Sequence, residues 1–201
     1  MSKLYGVGQR QLQREFDTER LADRIEARLF REHISGEDRE IIERLDMFFL
    51  ATVDSGGHPN CSYKGGNPGL VRVLDEHTLV FPNYDGNGMF LSMGNIATCA
   101  EVGLLFIDFE NQQRLRVNGH ASIQPASTVA PSYPEAQFVV RVGVRQVFPN
   151  CPRYIHKMKL LERSKFVPRT AVTTPVPGWK RMDWAREVLS ATDPAREPQR
   201  S

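Results

Sequence analysis

The sequence predicts a mainly β protein, an antiparallel barrel with helices at its periphery. Three observations point there. Short strand-like segments recur between residues 47 and 148, bounded by turn residues such as Asp54-Ser55-Gly56-Gly57 and Asp75-Glu76-His77. Helical periodicity is confined to the chain ends and one crossover. The strands do not alternate with long helices, which argues against a doubly wound parallel sheet.

Taken in order, residues 9–32 read as one amphipathic helix. Leu12, Phe16, Leu21, Ile25 and Leu29 recur mostly at four-residue steps, spaced to pack on a sheet. Ser35 and Asp38 form a capping-box start for a second helix, buried through Ile41, Ile42 and Leu45. Met47–Val53 is a continuous apolar run, the pattern of a strand buried on both faces. The following turn returns the chain antiparallel. His58–Lys64 then places Asn60, Ser62 and Lys64 on one face, Cys61 and Tyr63 on the other. After the breaker-rich Gly65–Gly69 loop, Leu70–Leu74 and Thr78–Phe81 form a hairpin.

Pro82–Gly88 is a polar loop with two glycines, and Met89–Thr98 reads as a short helix with Met89, Met93 and Ile96 inward. Val102–Asp108, Arg114–Ile123 and Phe138–Phe148 complete the strands. In the second of these, Arg114, Arg116 and Asn118 share one face, Leu115 and Val117 the other. Residues 125–135, with three prolines, form a loop; Asn150–Leu161 holds a helical turn or short helix; 168–181 is irregular; Asp183–Leu189 is a final helix. The expected organisation is one domain over 1–190, with helices to 45, the barrel over 46–165 and an extension over 166–190. Residues 191–201 are expected to be a disordered tail.

Composition bounds the function. With 26 Lys plus Arg against 24 Asp plus Glu, the 201-residue chain carries a net charge of only +2. That is too balanced for a nucleic-acid binder. No stretch approaches the roughly 20 apolar residues of a membrane span, and the N-terminus lacks an apolar signal core. Cys61, Cys99 and Cys151 are odd in number and widely spaced, which favours a reduced, cytoplasmic location over a disulfide framework. The five histidines never fall at metal-ligand spacing, and no phosphate-loop or nucleophile-elbow motif occurs.

What remains is a scatter of polar strand-face and loop residues. Ser62 and Lys64 precede a glycine loop, Asn83, Asn87 and Gly88 precede a helix, and Arg114 and Arg116 share a strand face. Lys64, an arginine and a nest of backbone amides make a candidate anion site. The alternative is that each cation is a solvated residue on a half-exposed strand. Cys151 and His156 lack an orienting third group, and no residue stands out as a catalytic acid or base.

FFLATVDSGGHPNCSYKGG at 48–66 resembles the opening hairpin of the pyridoxamine 5'-phosphate oxidase-like FMN-binding split-barrel family. FPNYDGNGMFLSMGNIATCAEVGLLFIDF resembles its strand, flavin loop, helix and strand, and RLRVNGHASI its next long strand. VFPNCPRYIHKM is similar to the ending of an uncharacterised oxidoreductase-like branch. The resemblance spans about residues 45–165. It implies a homodimer of six-stranded Greek-key split barrels with FMN in a cleft between subunits. It also implies redox chemistry at the flavin N5 on a small-molecule substrate. Its phosphate grip falls on Ser62, Lys64, Arg114 and Arg116, and its loop contacts on Asn83, Tyr84, Asn87, Gly88 and Met89. The loop reads Asn87-Gly88-Met89 where true pyridoxamine phosphate oxidases carry a Ser-Arg-Lys run, so the family chemistry is implied without that substrate. The alternatives on this fold are a non-catalytic flavin or haem binder, with His58, His120 or His156 as axial ligand, and a deazaflavin-dependent reductase.

Overall fold

The structure, a computed structural model, describes residues 2–196. The described chain forms two compact units, one running to Lys159 and one beginning at Leu160. The expected tail lies in part, from residue 197, outside the described residues.

The first unit is built on one seven-stranded sheet. Its strands are β1 (Met47–Val53), β2 (Pro59–Gly65), β3 (Arg72–Asp75), β4 (Thr78–Asn83), β5 (Glu101–Asp108), β6 (Gln113–Gln124) and β7 (Phe138–Pro149). Their spatial order is β2-β1-β5-β6-β7-β4-β3, and every pairing is antiparallel. The count is seven rather than the six implied by the resemblance, because Arg72–Asp75 pairs with β4 as a short edge strand. The sheet curls on itself. Phe48 of β1 and Phe81 of β4 are separated by three strands in the order, yet their rings lie 5.0 Å apart. One core results, with Phe48, Leu50, Leu79, Phe81, Leu104, Phe106, Leu115 and Val117 all buried.

The apolar run of β1 is buried on one face only, which corrects the expectation of two. Phe48, Leu50 and Thr52 are buried, whereas Ala51 is exposed and Phe49 only partly covered. Beside them on β2, Tyr63 is 61% exposed. Among the described residues this outward face of β1 and β2 keeps its apolar side chains half open.

Helix α3 (Gly36–Arg44) starts where the capping box predicts. Ser35 Oγ accepts from the Asp38 amide, and the Asp38 carboxylate accepts from the Ser35 amide and hydroxyl. Asp38 also receives both 2.7 Å bonds of the Arg31 guanidinium, which fixes the chain leading into α3. The helix predicted over 9–32 is instead two, α1 (Val7–Glu15) and α2 (Glu19–Leu29). Asp17 adopts a positive φ of 50° between them, and Thr18 stands at the N-cap of α2. Their apolar stripe does not pack on the sheet as expected: Leu12, Phe16 and Leu21 are all more than half exposed. The two helices are clasped by polar groups instead, with Arg10 bonded to Asp23 at 2.7 Å.

Helix α4 (Leu91–Thr98) crosses between β4 and β5 and buries Met93 and Ile96 as predicted. Met89 is left out of the helix and exposed, because Phe90 turns into the left-handed region at φ 49°. Residues 150–159 form no helix. Ile155 N donates to Pro152 O in a turn, Gln112 Nε2 donates to Ile155 O, and Met158 N donates to Phe109 O. These bonds hold the backbone extended against the β5–β6 turn.

That turn is fastened by Asp108, which is buried. Burial pushes its carboxyl up, but hydrogen bonds from Asn111 and the Arg44 guanidinium more than offset this and hold it below the ordinary aspartate range. A carboxylate with a depressed folded-state pKa adds stability above its unfolded value and loses it as the pH falls through the folded one. The protein is therefore expected to lose stability from about pH 4 downward, and Asp108→Asn is expected to flatten that acid limb in urea titrations.

In the second unit, Trp179 and Trp184 stack at 6.0 Å, and the buried Lys180 ammonium meets Asp193 at 2.7 Å. Helix α5 (Asp183–Arg186) is shorter than predicted. Beyond its end the carbonyl of Leu189 accepts from the Arg196 guanidinium.

Candidate functional site

The inner face of the curled sheet is mostly apolar; Thr52 and Asp108 are buried on it, and β2 adds Ser62 and Lys64. Register sets Ser62 opposite Leu50 and Lys64 opposite Phe48, so both polar residues share the face of the buried core. They are tolerated there because β2 is the edge strand and its inner face meets α4. Ser62 Oγ lies 3.0 Å from Ser92 Oγ in the first turn of α4, and Asn95 Nδ2 donates to Thr52, whose partner on β2 is Asn60. The helix thus runs from Ser62 toward Asn60, and its N-terminus points to the Lys64 end of the strand.

Two features of this corner are unsatisfied. Lys64 is half-buried, and among the described residues no hydrogen bond or ion pair reaches its ammonium. Burial alone pushes its pKa below the ordinary lysine value. Helix α4 begins on Phe90, which offers no side-chain cap. The first-turn amides of Leu91, Ser92 and Met93 have no intrahelical acceptors, so the positive end of the helix dipole is open. A desolvated cation beside an open helix start is complementary to a phosphate.

The loop before α4 is shaped by short-range bonds. Met89 N donates to Asn87 Oδ1, and Gly88 takes φ 77°, a region where only glycine is unstrained. Asn87, Gly88 and Met89 are exposed at the mouth of the corner. Asn83 and Tyr84 are engaged elsewhere. Asn83 Nδ2 donates to Gln137 Oε1 at 2.9 Å, and Tyr84 packs on the core, where burial pushes its phenol pKa up.

Arg114 and Arg116 do not join Lys64. Arg116 is paired with Leu105 and, through it, with the outward Phe49, whereas the intervening Leu115 and Val117 are buried. Strand alternation therefore puts both arginines on the outer face, opposite to Ser62 and Lys64. Arg114 donates to Cys151 O at 3.0 Å while its Nε is buried and unpartnered. Arg116 lies 5.9 Å over the Phe148 ring. Within a single chain Ser62 and Lys64 therefore stand on one face and Arg114 and Arg116 on the other, so the four do not form the one cluster expected. The three candidate axial histidines are all exposed: His58 bonds Asp54 in a hairpin turn, His120 pairs with Glu101 and His156 lies beyond β7.

Sequence reasoning missed Ser92 and the bare helix start. The signal was present: no Ser, Thr, Asp or Asn stands directly before Leu91.

Residues 34–160 match the family model described as pyridoxamine 5'-phosphate oxidase. The chain belongs to this family. No curated protein matches it. Similar solved structures include HupZ of Group A Streptococcus, at 22% identity and a TM-score of 0.46, covering 58% of this chain and 93% of that one. An FMN-binding protein from Syntrophomonas wolfei is 11% identical with a TM-score of 0.46, over 70% of this chain and 97% of that one. HutZ, the haem storage protein of Vibrio cholerae, is 18% identical with a TM-score of 0.42, over 57% and 93%. Both α1 and α2, and the second unit beyond Leu160, lie outside the family match. Among the described residues no helix is long and apolar enough to cross a membrane, and no cluster of His, Cys, Asp and Glu could hold a metal ion.

Proposed function

We propose that this chain is an FMN-dependent oxidoreductase that works as a homodimer on a small-molecule substrate. The observation that carries the reading is Lys64, a desolvated and unpaired cation beside the uncapped start of α4. The phosphate of FMN is a dianion, and its charge complements this corner. The Lys64 ammonium, the Ser62 and Ser92 hydroxyls and the first-turn amides of α4 would hold it, and Asn87–Met89 would border the rest of the cofactor. Bound flavin would supply hydride or electron transfer, which no side chain provides.

The opposite placement of Arg114 and Arg116 fits a cofactor lying between two copies. Each chain would grip one phosphate with its inner corner and present its outer arginines to the flavin of the other. The outward Phe49, Ala51 and Tyr63 give that second copy an apolar face to cover. The arginines would then favour negative charge developing on the ring electrostatically. Three free cysteines agree with a cytoplasmic location.

The test is a titration of cofactor-free protein with FMN and with riboflavin, which lacks the phosphate. FMN is expected to bind at least a hundredfold more tightly, and Lys64→Ala is expected to shrink that ratio tenfold or more. Equal affinity for the two ligands in the unaltered protein would defeat the reading.

A further inference from the structure

The chain from Cys151 to Lys159 is ordered but almost wholly exposed. Four bonds fix it: Arg114 Nη2 to Cys151 O, Ile155 N to Pro152 O, Gln112 Nε2 to Ile155 O and Met158 N to Phe109 O. Ile155 is its one buried side chain, and Tyr154 is 85% exposed. A surface strap with this much fastening and so little burial is not explained by packing. Its composition is equally one-sided. It carries Arg153, Lys157 and Lys159 and no acidic residue.

It begins where Arg114 holds the Cys151 carbonyl, on the outer face that also presents Arg116. Among the described residues none of these five cations enters an ion pair. Several other cations of the first unit are paired, Lys3 with Glu32, Arg10 with Asp23, Arg31 with Asp38, Arg44 with Asp108 and Arg145 with Glu101. Within the strap three exposed cations follow one another with no acid between them, and across from it only Glu110 adjoins the Phe109 carbonyl that Met158 N meets; an anion bound along the strap would offset their mutual repulsion.

We propose that the strap is a recognition surface for a small molecule bearing at least two anionic groups, phosphate or carboxylate. Arg114 positions the strap, and Arg153, Lys157 and Lys159 bind the anion. A nucleic acid is disfavoured because tight phosphate-backbone binding draws on roughly 6–10 cationic contacts, and the chain's net charge is only +2. That the anion is the substrate, approaching a flavin beside Arg116, rests on the reading above; that this face binds it does not.

The experiment is calorimetric titration of the protein as purified with pyrophosphate, citrate and a short DNA duplex. It is repeated on Arg153→Gln/Lys157→Gln/Lys159→Gln and on Lys64→Ala. All three strap side chains are exposed, so the triple variant is expected to fold and keep its flavin. Pyrophosphate or citrate is expected to bind the unaltered protein and Lys64→Ala alike, and the triple variant at least tenfold more weakly. The stronger of the two anions identifies the group recognised. Binding that survives in the triple variant, binding lost in Lys64→Ala instead, no binding of either anion, or a preference for DNA overturns the proposal. Loss of flavin from Lys64→Ala with strap binding intact separates the two readings.

Discussion

Lys64→Met is expected to weaken FMN binding roughly ten- to a hundredfold while leaving the cofactor-free protein as stable as before or more so. The first effect follows from a charge-assisted hydrogen bond to phosphate, worth about 1.5–3 kcal/mol. The second follows because methionine keeps an unbranched stem against Phe48 and removes an ammonium that burial strips of water without giving it a partner. The pH dependence has a definite sign. Burial lowers the Lys64 pKa in the folded state, so over the interval between that value and the ordinary lysine value the unfolded chain binds more protons. Cofactor-free stability should therefore rise as the pH climbs through that interval, and Lys64→Met should abolish this rise. Urea titrations across the alkaline range, with and without FMN, measure both effects. A variant that binds FMN undiminished would remove Lys64 from the site.

Gly119→Ala is expected to be the most damaging single methyl in the barrel. A Cβ at Gly119 would stand 2.2 Å from the Gly143 carbonyl oxygen on β7. The obstacle is backbone, held in the longest ladder of the sheet, next to the register shift at Asn118/Gly119. No rotamer change relieves it, so β6 and β7 must separate locally. The expected cost is about 3 kcal/mol or more, the upper end for overpacked sites. Gly143→Ala is the control, since its nearest neighbour is 3.8 Å away, an ordinary contact. Its effect should fall within about 1 kcal/mol. Chemical denaturation of both variants decides the matter, and equal losses would show that the clash relaxes.

Much of this fold was legible because its signals are local. The Ser35 capping box, the turn at Asp54–Gly57 and the alternation of β6 each depend on a few adjacent residues, and each stands where predicted. What failed depended on distant partners. The Met47–Val53 run looked buried on both faces because sequence does not distinguish a covered face from one left open by a single chain. The split between α1 and α2 turned on Asp17 taking a positive φ, which composition only weakly favours.

The site shows the same division. Ser62 and Lys64 were correctly read as one strand face, because alternation is intrinsic to a strand. Their separation from Arg114 and Arg116 was not legible, since it depends on which face of each strand turns inward across two further strands. Once Leu50 pairs with Leu104 and Leu104 with Val117, the parity is forced, and the arginines must point outward.

The central claim is that this corner holds a flavin phosphate. Its most direct test is extraction of the cofactor from freshly purified protein and measurement of its mass. The account predicts FMN, released in amounts approaching one per chain. A haem, a deazaflavin, riboflavin without phosphate, or no cofactor even after incubation with FMN would contradict it.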